Sequence, residues 1–592
     1  MTPSSIERLP FDKQATRSWG ARDPRHSNWP VVYVIDGTSG AQARVYVGET
    51  VNAASRLHQH LASPTKQGLA SVRVVIDDSF NKSACLDLES HLIRWFAGDG
   101  RYTVLNGNEG ITDAAYFERD VYRESFRDVF EELRAEGLFT RSIPQIENDD
   151  LFKLSPFKAL TRDQAIAVTD ILDALFDDLG SGAHTTSIVQ GNPGTGKTIV
   201  AIFLMKLLAD IRDHLDSEQP PEDSMFAEYF VRENREALQG FRMALVVPQQ
   251  SLRESIQRVF KKTPKLRPSM VLSPFDVGKS TERFDLLLVD EAHRLGQRAN
   301  QSSGPLNKQF AEITTRLFGH DDKTRTQLDW MAAQSNHRIL MLDADQSVRP
   351  ADLPAETTAR LIADARDTQR LHPLVTQMRV KAGTDYVGYV RALLRGETPD
   401  AIDLGDYDLR MFDDLGELRR ELRARETEHG LARLVAGYAW DWRSKKDPTA
   451  YDIELDGERL RWNRVATDWI NSPGSVDEVG SIHTVQGYDL NYAGVIIGPD
   501  LRYDATTGRI VVSRDDYRDK KGKENNPTLG HVYTDDDLLR YIVNVYAVLL
   551  TRGIRGTYVY VVDPGLREWL RRGMRVPYGT AVNFGVAGSI RP

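Results

Sequence analysis

The chain has 592 residues, of which 41% are hydrophobic and 27% charged, and its formal net charge is −9. This length exceeds what one hydrophobic core supports and predicts three or four domains of roughly 150 residues each. The apolar runs are far shorter than the ~20 residues of a transmembrane helix, which excludes a membrane-spanning protein. Residues 1–27 form an N-terminal extension without the apolar core of a signal peptide, and the single cysteine, Cys85, has no intramolecular disulfide partner. Both features predict a cytoplasmic protein.

The first predicted domain is a small αβ unit at residues 28–115. Two apolar runs, "NWPVVYVIDG" and "ARVYVGE", predict strands that carry Tyr33 and Tyr46 respectively. A polar turn and a helix follow, in which Arg56 and His60 lie four residues apart and therefore on one face. Taken alone, this pattern is equally typical of a small structural hairpin packed on a helix.

The rest of this domain supplies two further polar side chains. The helix predicted over "CLDLESHLIRWF" carries Glu89 among apolar residues, and the segment "TVLNGNEG" supplies Asn106. Burying a carboxylate on such a helix is costly unless it binds a metal ion or a partner. The sequence therefore indicates a candidate site in this domain. A charged helical connector is predicted next, at residues 116–150.

Residues 151–592 predict an α/β region built on parallel sheets. Short β-rich runs alternate there with helical stretches; they include "TSIVQG", "RMALVVP", "FDLLLVDEA", "HRILMLDA", "AGVIIGP" and "TYVYVVD". Residues 211–240 are rich in acidic residues and proline and interrupt this alternation. They predict an insertion between a helix and the next strand.

A phosphate-binding loop is predicted where the first of these strands ends. The run "GNPGTGKT" fits G-x-x-x-x-G-K-[ST] and lies between a predicted strand and a predicted helix. Gly191, Gly194 and Gly196 allow backbone N–H groups to curl around phosphates at a helix N-terminus. Lys197 would reach the β- and γ-phosphates of ATP, and Thr198 would offer its hydroxyl to Mg²⁺ or Mn²⁺. The alternative is a plain glycine-rich turn.

The run "FDLLLVDEAHRL" predicts a buried strand that ends in two acidic residues. Asp290 would hold the divalent cation through water, and Glu291 would polarise the attacking water, which implies ATP hydrolysis. His293 follows closely, and its role is open between coupling this site to its surroundings and a structural contact.

Five further segments resemble motifs of the superfamily 1 helicases and translocases, in the family's order. "LTRDQ" resembles the Q motif, with Gln164 on the adenine edge. "MLDADQSVRP" is similar to the third motif, with Asp343 and with Gln346 as the γ-phosphate sensor. "VTQMRV" and "GSIHTVQGYDL" resemble motifs IV and V, and the former places Arg379 near the γ-phosphate. "VYAVLLTRGIRGTYVY" resembles motif VI, with Arg552 as the arginine finger.

The resemblance implies two RecA-like lobes, which we assign to residues 151–350 and 351–592. The variants "LVAGYAWDW", "HTVQGYDL" and "LLTRGIRGTYVY" look closest to the helicase-like domain of the schlafen group and its bacterial relatives, over roughly 155–565. Such lobes close on ATP and open after hydrolysis, so a bound strand is moved stepwise. Strand unwinding, translocation without unwinding and a nucleic-acid-triggered ATPase all remain open.

Aromatic and basic residues are candidates for holding nucleic acid. Trp440, Trp442 and Trp462 could stack on bases, although core packing is the alternative for each. Four basic clusters could lie along the phosphate backbone or form ordinary solvated faces; they are residues 258–268, 443–446, 518–523 and 567–575.

The order of residues in the αβ domain resembles the GIY-YIG nuclease domain, an antiparallel sheet with flanking helices. Val31-Val32-Tyr33 stands in the place of the first tripeptide and Tyr46-Val47-Gly48 in that of the second. The first departs from Gly-Ile-Tyr but keeps the tyrosine. The resemblance implies these roles: Tyr33 and Tyr46 position or deprotonate the attacking water, Arg56 stabilises charge on the phosphate, His60 is an accessory acid or base, Glu89 ligates a divalent cation, and Asn106 holds the site together.

These resemblances predict an ATP-dependent DNA translocase or helicase coupled to a metal-dependent endonuclease, acting in defence against foreign DNA or in repair. The expected cofactors are ATP and Mg²⁺ or Mn²⁺, and the expected partner is nucleic acid, with DNA favoured over RNA and no membrane. Self-association and a partner protein remain open. Two alternatives are an RNA-directed ATPase and nuclease, and an ATP-switched sensor or scaffold with an inactive nuclease site.

Overall fold

The fold is described from a computed structural model. The described residues are 5–39, 42–106, 115–214, 224–298, 301, 304–343, 346, 348–378, 380, 385–400, 402–465, 469–485 and 488–574. The chain forms two compact units. Unit 1 comprises Met1–Ser347, Ala351–Gln377 and Thr528–Gly530, and unit 2 comprises Val348–Pro350, Met378–Pro527 and His531–Pro592.

The first sheet of unit 1 has five strands in the order β1-β4-β2-β3-β5. Its pairs are antiparallel except β3 with β5, which is parallel. The strand β1 lies in the predicted extension 1–27 and pairs along its whole length with β4, so the extension is part of this domain. The strands are β1 (Ser5–Pro10), β2 (Val31–Ser39), β3 (Gln42–Thr50), β4 (Leu69–Ile76) and β5 (Thr103–Val104).

Helices cover both faces of this sheet, and their bounds are α1 (Lys13–Gly20), α2 (Arg25–Asn28), α3 (Ala53–Leu61), α4 (Lys82–Asp99), α5 (Arg119–Ala135), α6 (Ile143–Glu147) and α7 (Asp150–Lys153). The helix α4 begins where the Asn81 side chain accepts from the Ala84 N–H and ends at Gly100, whose φ of 69° is left-handed. The predicted connector supplies α5, whose Phe126 and Phe130 are buried in the same core as α4. The connector is therefore packed into this domain.

The second sheet of unit 1 has six strands in the order β11-β6-β10-β9-β7-β8, and every pair is parallel. This confirms the parallel α/β fold predicted from the alternating pattern. The strands are β6 (Thr185–Gly191), β7 (Met243–Val246), β8 (Val271–Leu272), β9 (Phe284–Val289), β10 (Ser335–Leu342) and β11 (Leu371–Leu374).

The helices of this part are α8 (Arg162–Ser181), α9 (Lys197–Arg212), α10 (Arg232–Ala237), α11 (Gln250–Lys262), α12 (Pro274–Lys279), α13 (Gly304–Phe318), α14 (Gln327–Gln334) and α15 (Ala355–Asp367). The predicted lobe boundary after residue 350 differs from the division between the units, which falls after Gln377. The reason is that β11 lies beyond residue 350 and pairs with β6, the strand that leads into the phosphate-binding loop.

The predicted insertion at 211–240 packs onto the core where it is described; residues 215–223 lie outside the described part of the chain. Phe226 and Tyr229 are buried in the same core as α8 and α9. The Tyr229 hydroxyl donates to Asp173 Oδ1 at 2.6 Å. The acidic, proline-containing composition of this segment does not indicate that these two aromatic residues are buried in the core.

Unit 2 is built on a five-stranded parallel sheet in the order β12-β20-β17-β13-β16, with two antiparallel hairpins, β14-β15 and β18-β19. The strands are β12 (Asp408–Phe412), β13 (Ala432–Ala436), β14 (Ile453–Leu455), β15 (Glu458–Leu460), β16 (Val479–Ser481), β17 (Leu490–Ile497), β18 (Leu501–Asp504), β19 (Arg509–Val512) and β20 (Gly553–Val561). The helices are α16 (Tyr386–Leu394), α17 (Leu415–His429), α18 (Ile482–Val485), α19 (Asp535–Leu550) and α20 (Pro564–Gly573). Across the described part of the chain, no helix combines the length and apolarity needed to span a membrane.

Candidate functional site

The predicted phosphate-binding loop joins β6 to α9 in unit 1. Gly194 and Gly196 have φ of 86° and 81°, which favours glycine because a Cβ is strained in this region. A Cβ on Gly191 would lie 2.3 Å from Thr195 Oγ1, so this glycine is required by the close approach of the loop. The loop therefore has the backbone shape that the motif predicts.

The two functional side chains that open α9 face the acidic end of β9. Thr198 Oγ1 donates to Asp290 Oδ2 at 2.8 Å. Lys197 Nζ donates to the carbonyls of Gly191 at 2.7 Å and Asn192 at 3.1 Å and lies 3.7 Å from Asp343 Oδ2. A hydroxyl, a carboxylate and an ammonium thus converge beside a glycine loop, which is the donor set that Mg²⁺ and a triphosphate require.

Asp290 and Glu291 form a coupled acidic pair at the end of β9. Asp290 is fully buried, and burial together with the neighbouring Glu291 charge raises its pKa. Burial acts the same way on Glu291, but the hydrogen bond and charge of His293, helped by two nearby cations, hold the pKa of Glu291 below its usual range. The low pKa of Glu291 means that this carboxylate stays ionised and is able to accept a hydrogen bond from water.

His293 connects Glu291 to the third motif. Its Nε2 lies 3.1 Å from Glu291 Oε2, and the Asp343 backbone N–H donates to its Nδ1 at 3.4 Å. Glu291 itself has a φ of 48°, a left-handed conformation that is strained for a side chain of this type. Of the two roles open from sequence, the geometry favours coupling.

The Gln164 amide joins α8 to the phosphate-binding loop. The side chain is fully buried, its Nε2 donates to the Thr195 carbonyl at 2.8 Å, and its Oε1 accepts from the Thr161 N–H at 3.0 Å. It therefore ties the start of α8 to the loop, and the adenine contact stays a prediction. Sequence reasoning missed Gln377, whose Nε2 donates to the Pro193 carbonyl at 2.8 Å. Its signal was its position inside the run "VTQMRV", two residues before Arg379.

The remaining predicted sensors are only partly covered by the structure. Gln346 is buried, and its Oε1 has no hydrogen-bond partner among the described residues. Arg379 lies outside the described residues. Arg552 is buried in unit 2 at the start of β20, and its Nη1 donates to the Tyr488 carbonyl at 3.2 Å. The roles of all three stay predictions.

In the N-terminal sheet, three aromatic side chains meet on one face. Tyr33 pairs with Gly48 and Tyr46 with Ile35 across β2 and β3, which puts both tyrosines on the same side. The His60 ring lies 5.6 Å from the Tyr33 ring and 5.0 Å from the Tyr46 ring, and its Nε2 is 2.7 Å from Tyr33 Oη. Burial raises the pKa of Tyr33 and lowers that of His60 to about 2.

The other three predicted residues of this site are Arg56, Glu89 and Asn106. Arg56 is exposed on α3, and its charge and hydrogen bond act to lower the pKa of Tyr33, whereas the charge of the buried Glu89 acts to raise it. Asn106 is buried; its Oδ1 accepts from the Val47 N–H at 3.1 Å and its Nδ2 donates to the Val47 carbonyl at 2.8 Å. The structure thus brings Tyr33, Tyr46 and His60 together and ties Asn106 to β3, while the charges of Arg56 and Glu89 act on Tyr33.

Comparison with known proteins decides the family of the larger part of the chain. The family model "Schlafen group 3, DNA/RNA helicase domain" matches residues 184–563, which is more than half of the chain.

The chain belongs to the Schlafen group 3 helicase family.

The matched region begins immediately before β6 and ends just after β20, so it contains both parallel sheets. The Saccharomyces cerevisiae "Uncharacterized protein YPL245W" is 27% identical over 399 residues, which cover 65% of this chain and 83% of that protein. The crystal structure of the DUF1998 helicase MrfA bound to DNA aligns with 8% identity and a TM-score of 0.25, over 70% of this chain and 50% of that chain.

Within the Schlafen group 3 domain, the three tryptophans that could stack on bases differ in how deeply they are buried. Trp462 is 1% exposed and stacks on Tyr438 with ring centroids 5.4 Å apart, so it is a core residue. Trp440 and Trp442 are partly buried against the same core, and Lys445 Nζ lies 5.1 Å from the Trp442 ring centroid. Base stacking by these two residues stays a prediction.

Three side chains of two basic clusters have partners within the chain. In the cluster 258–268, Arg258 donates to Asp150 Oδ2 at 2.8 Å and Lys265 Nζ lies 3.2 Å from Asp210 Oδ1. In the cluster 518–523, Lys523 donates to two backbone carbonyls. Nucleic-acid contact by the basic clusters stays a prediction.

Proposed function

We propose that this Schlafen group 3 protein is an ATP-dependent DNA translocase or helicase. The observation that carries the proposal is the convergence of Lys197, Thr198 and Asp290 at the end of the parallel sheet. Family membership supports the helicase class, and the nuclease resemblance of the N-terminal domain favours DNA over RNA. We place the activity in defence against foreign DNA or in repair.

The residues divide the hydrolytic work by their chemistry. Lys197 would exchange its loop carbonyls for phosphate oxygens, and Glu291 would orient the attacking water from a carboxylate kept ionised by His293. Mg²⁺ held through Thr198 and Asp290 would neutralise phosphate charge when bound. The resemblance to the helicase motifs implies γ-phosphate contacts for Gln346, Arg379 and Arg552, and these roles are part of the proposal.

We further propose that the N-terminal domain is a GIY-YIG endonuclease. The support is geometric: Tyr33, Tyr46 and His60 form one ring cluster, Arg56 supplies a cation beside it, and Glu89 supplies a buried carboxylate. Mg²⁺ is commonly held by one or two carboxylates together with water and substrate phosphates. The single carboxylate of Glu89 is therefore compatible with Mg²⁺ or Mn²⁺, even though no group of three or more His, Cys, Asp or Glu side chains converges within the described residues.

A direct contact within unit 1 supports coupling of the two activities. Asp150 on α7 accepts from Ser255 Oγ at 2.6 Å and from Arg258 Nη2 at 2.8 Å, both on α11 of the ATP-binding part. Lys262, also on α11, donates at 3.0 Å to the carbonyl of Gly100, the residue that ends α4. Since α4 carries Glu89, a shift of α11 would be transmitted through α4 to the proposed nuclease site.

The deciding experiment is the ATPase rate of the purified protein with single-stranded DNA, duplex DNA and RNA added separately. Stimulation by DNA supports the proposal, and stimulation by RNA alone would replace it with an RNA-directed ATPase. A rate that no nucleic acid changes would contradict the motor assignment. Lys197→Ala controls for contaminating ATPases, because it removes the phosphate contact of this site alone.

A further inference from the structure

Lys66, which carries no signal in the sequence, belongs to the N-terminal site. It lies in the short turn Pro64–Lys66 that follows α3. Its Nζ is 2.6 Å from His60 Nδ1 and 3.5 Å from the centroid of the Tyr46 ring. The other nitrogen of His60 faces Tyr33 Oη at 2.7 Å. Three polar groups therefore form a continuous chain from the partly exposed lysine to the buried tyrosine.

The direction of the hydrogen bonds in this chain follows from the donors present. A lysine ammonium has three N–H donors and no acceptor, so Nδ1 of His60 must accept. A neutral imidazole then carries its hydrogen on Nε2, which donates to Tyr33 Oη. Burial and the charges of Lys66 and Arg56 lower the pKa of His60 to about 2, which agrees with a neutral ring.

The oxygen of Tyr33 is held in one place by its surroundings. Tyr33 is 1% exposed, and a Cβ on Gly48 would lie 2.2 Å from its Oη. Since His60 donates to this oxygen, the hydroxyl hydrogen of Tyr33 must point away from His60. Burial keeps the pKa of Tyr33 well above its usual value, so the group stays a phenol that donates.

We propose that Lys66 is a positioning residue: it holds His60 in the tautomer that donates to Tyr33, so that the Tyr33 hydroxyl is presented as a donor to a phosphate oxygen of the nucleic acid. The inference rests on the proposed nuclease function. It goes beyond that function by adding a residue outside the nuclease motif and by setting the direction of the hydrogen bonds.

The test compares two substitutions in the full chain. Lys66→Met keeps the length of the side chain but removes every donor, whereas Lys66→Arg keeps donors and charge. Lys13→Met is the matched control, because Lys13 is exposed on α1 of the same domain. ATPase activity reports folding of each variant, since Lys66 has no part in the nucleotide site.

The first measurement is the tautomer of His60, from the ring ¹⁵N chemical shifts of protein labelled at histidine and assigned with His60→Gln. We expect the hydrogen on Nε2 in wild type, Lys13→Met and Lys66→Arg, and a redistribution toward Nδ1 in Lys66→Met. A hydrogen on Nδ1 in wild type, or an unchanged tautomer in Lys66→Met, would overturn the inference.

The second measurement is single-turnover DNA cleavage with Mg²⁺. We expect Lys66→Met to lower the rate by roughly 10-fold to 100-fold with little change in DNA affinity, as found when a partner that orients a functional side chain is removed. Lys66→Arg should recover most of the rate. If Lys66→Met cleaves like wild type, Lys66 has no positioning role. If wild type cleaves no nucleic acid, the proposed nuclease and the substrate part of this inference both fall, while the tautomer still decides whether Lys66 sets the ring.

Discussion

Thr198 and Asp290 are joined by a 2.8 Å hydrogen bond although 92 residues separate them in the chain. Thr198 lies in the first turn of α9, the helix that follows β6 and the phosphate-binding loop. Asp290 immediately follows β9, which lies two positions from β6 in the sheet. Because the carboxyl ends of parallel strands lie at one edge of a sheet, this bond marks where a nucleotide and its cation would bind.

Glu291→Gln should abolish ATP hydrolysis but preserve ATP binding. Glutamine keeps the shape of the side chain and leaves Lys197, Thr198 and Asp290 untouched, whereas the carboxylate that orients water is lost. The expected fall in turnover is about 10²-fold to 10⁴-fold. Steady-state ATPase rates and equilibrium nucleotide binding check both parts. Glu356→Gln, at an exposed position on α15, is the control. If Glu291→Gln hydrolyses ATP at the wild-type rate, Glu291 does not orient the attacking water.

Glu89→Ala should eliminate metal-dependent cleavage and leave nucleic-acid-stimulated ATPase near wild type. The reason is that Glu89 is the carboxylate proposed to hold the divalent cation. Arg56→Ala removes only charge stabilisation and should therefore retain more residual cleavage than Glu89→Ala. Glu124→Ala, an exposed position on α5, should cleave normally. Cleavage that persists in Glu89→Ala or in excess EDTA contradicts the GIY-YIG assignment.

Gly48→Ala should impair cleavage without affecting the ATPase. The new methyl group would lie 2.2 Å from Oη and 2.4 Å from Cζ of Tyr33, and a buried ring has little freedom to move away. We expect a loss of at least about 10-fold in single-turnover cleavage because the phenol is displaced from its partners. An unaffected rate would show that the position of Tyr33 is not critical.

Coupling between the two activities should depend on Asp150. If the motor delivers DNA to the nuclease, Lys197→Ala should reduce or redistribute cuts on long DNA but not on short oligonucleotides, where little translocation is possible. Asp150→Ala, which removes the bonds to Ser255 and Arg258, should mimic this pattern while its ATPase persists. Product lengths on long and short substrates provide the measurement.

The control for this comparison is Asp128→Ala, at an exposed position on α5. Identical product patterns for wild type, Lys197→Ala and Asp150→Ala would mean that motor and nuclease are merely tethered.

Asp500 should make the stability of unit 2 fall as the pH rises. Burial raises its pKa to about 7, although the Tyr546 hydroxyl, which donates to Oδ1 at 2.6 Å, acts in the opposite direction. The folded state therefore binds a proton more tightly than the unfolded state. This contribution is complete below pH ~4 and is lost as the pH rises through about 7.

Asp500→Asn removes the titrating group but keeps an acceptor for Tyr546. Relative to this variant, wild type should lose up to about 1.4 kcal/mol of stability per pH unit between pH 4 and 7. Unfolding by urea, followed by tryptophan fluorescence at a series of pH values, measures the difference. Parallel pH profiles for the two proteins would show that Asp500 does not titrate in this range.

The sequence by itself determined the local chemistry of this protein. The loop from Gly191 to Thr198, the pair Asp290 and Glu291, and the alternation of strands and helices are encoded by contiguous residues. Their backbone requirements, such as the left-handed glycines, are local as well. For the same reason the family resemblance over the helicase region was readable before the fold was known and was confirmed by the family match.

Only the tertiary structure decided which residues meet across long separations. Packing brings Lys66 into contact with His60 and Asp343 into contact with His293, and it joins Asp150 to α11. It also places the boundary between the two units after Gln377, where the sequence predicted residue 350. The contacts of Lys66 and Asp150 have no sequence signal, because the partners of a lone lysine or aspartate are brought close only by burial of distant apolar segments. The same burial raises the pKa of Asp500. Folding also pairs Arg258 and Lys265 of the basic cluster with Asp150 and Asp210.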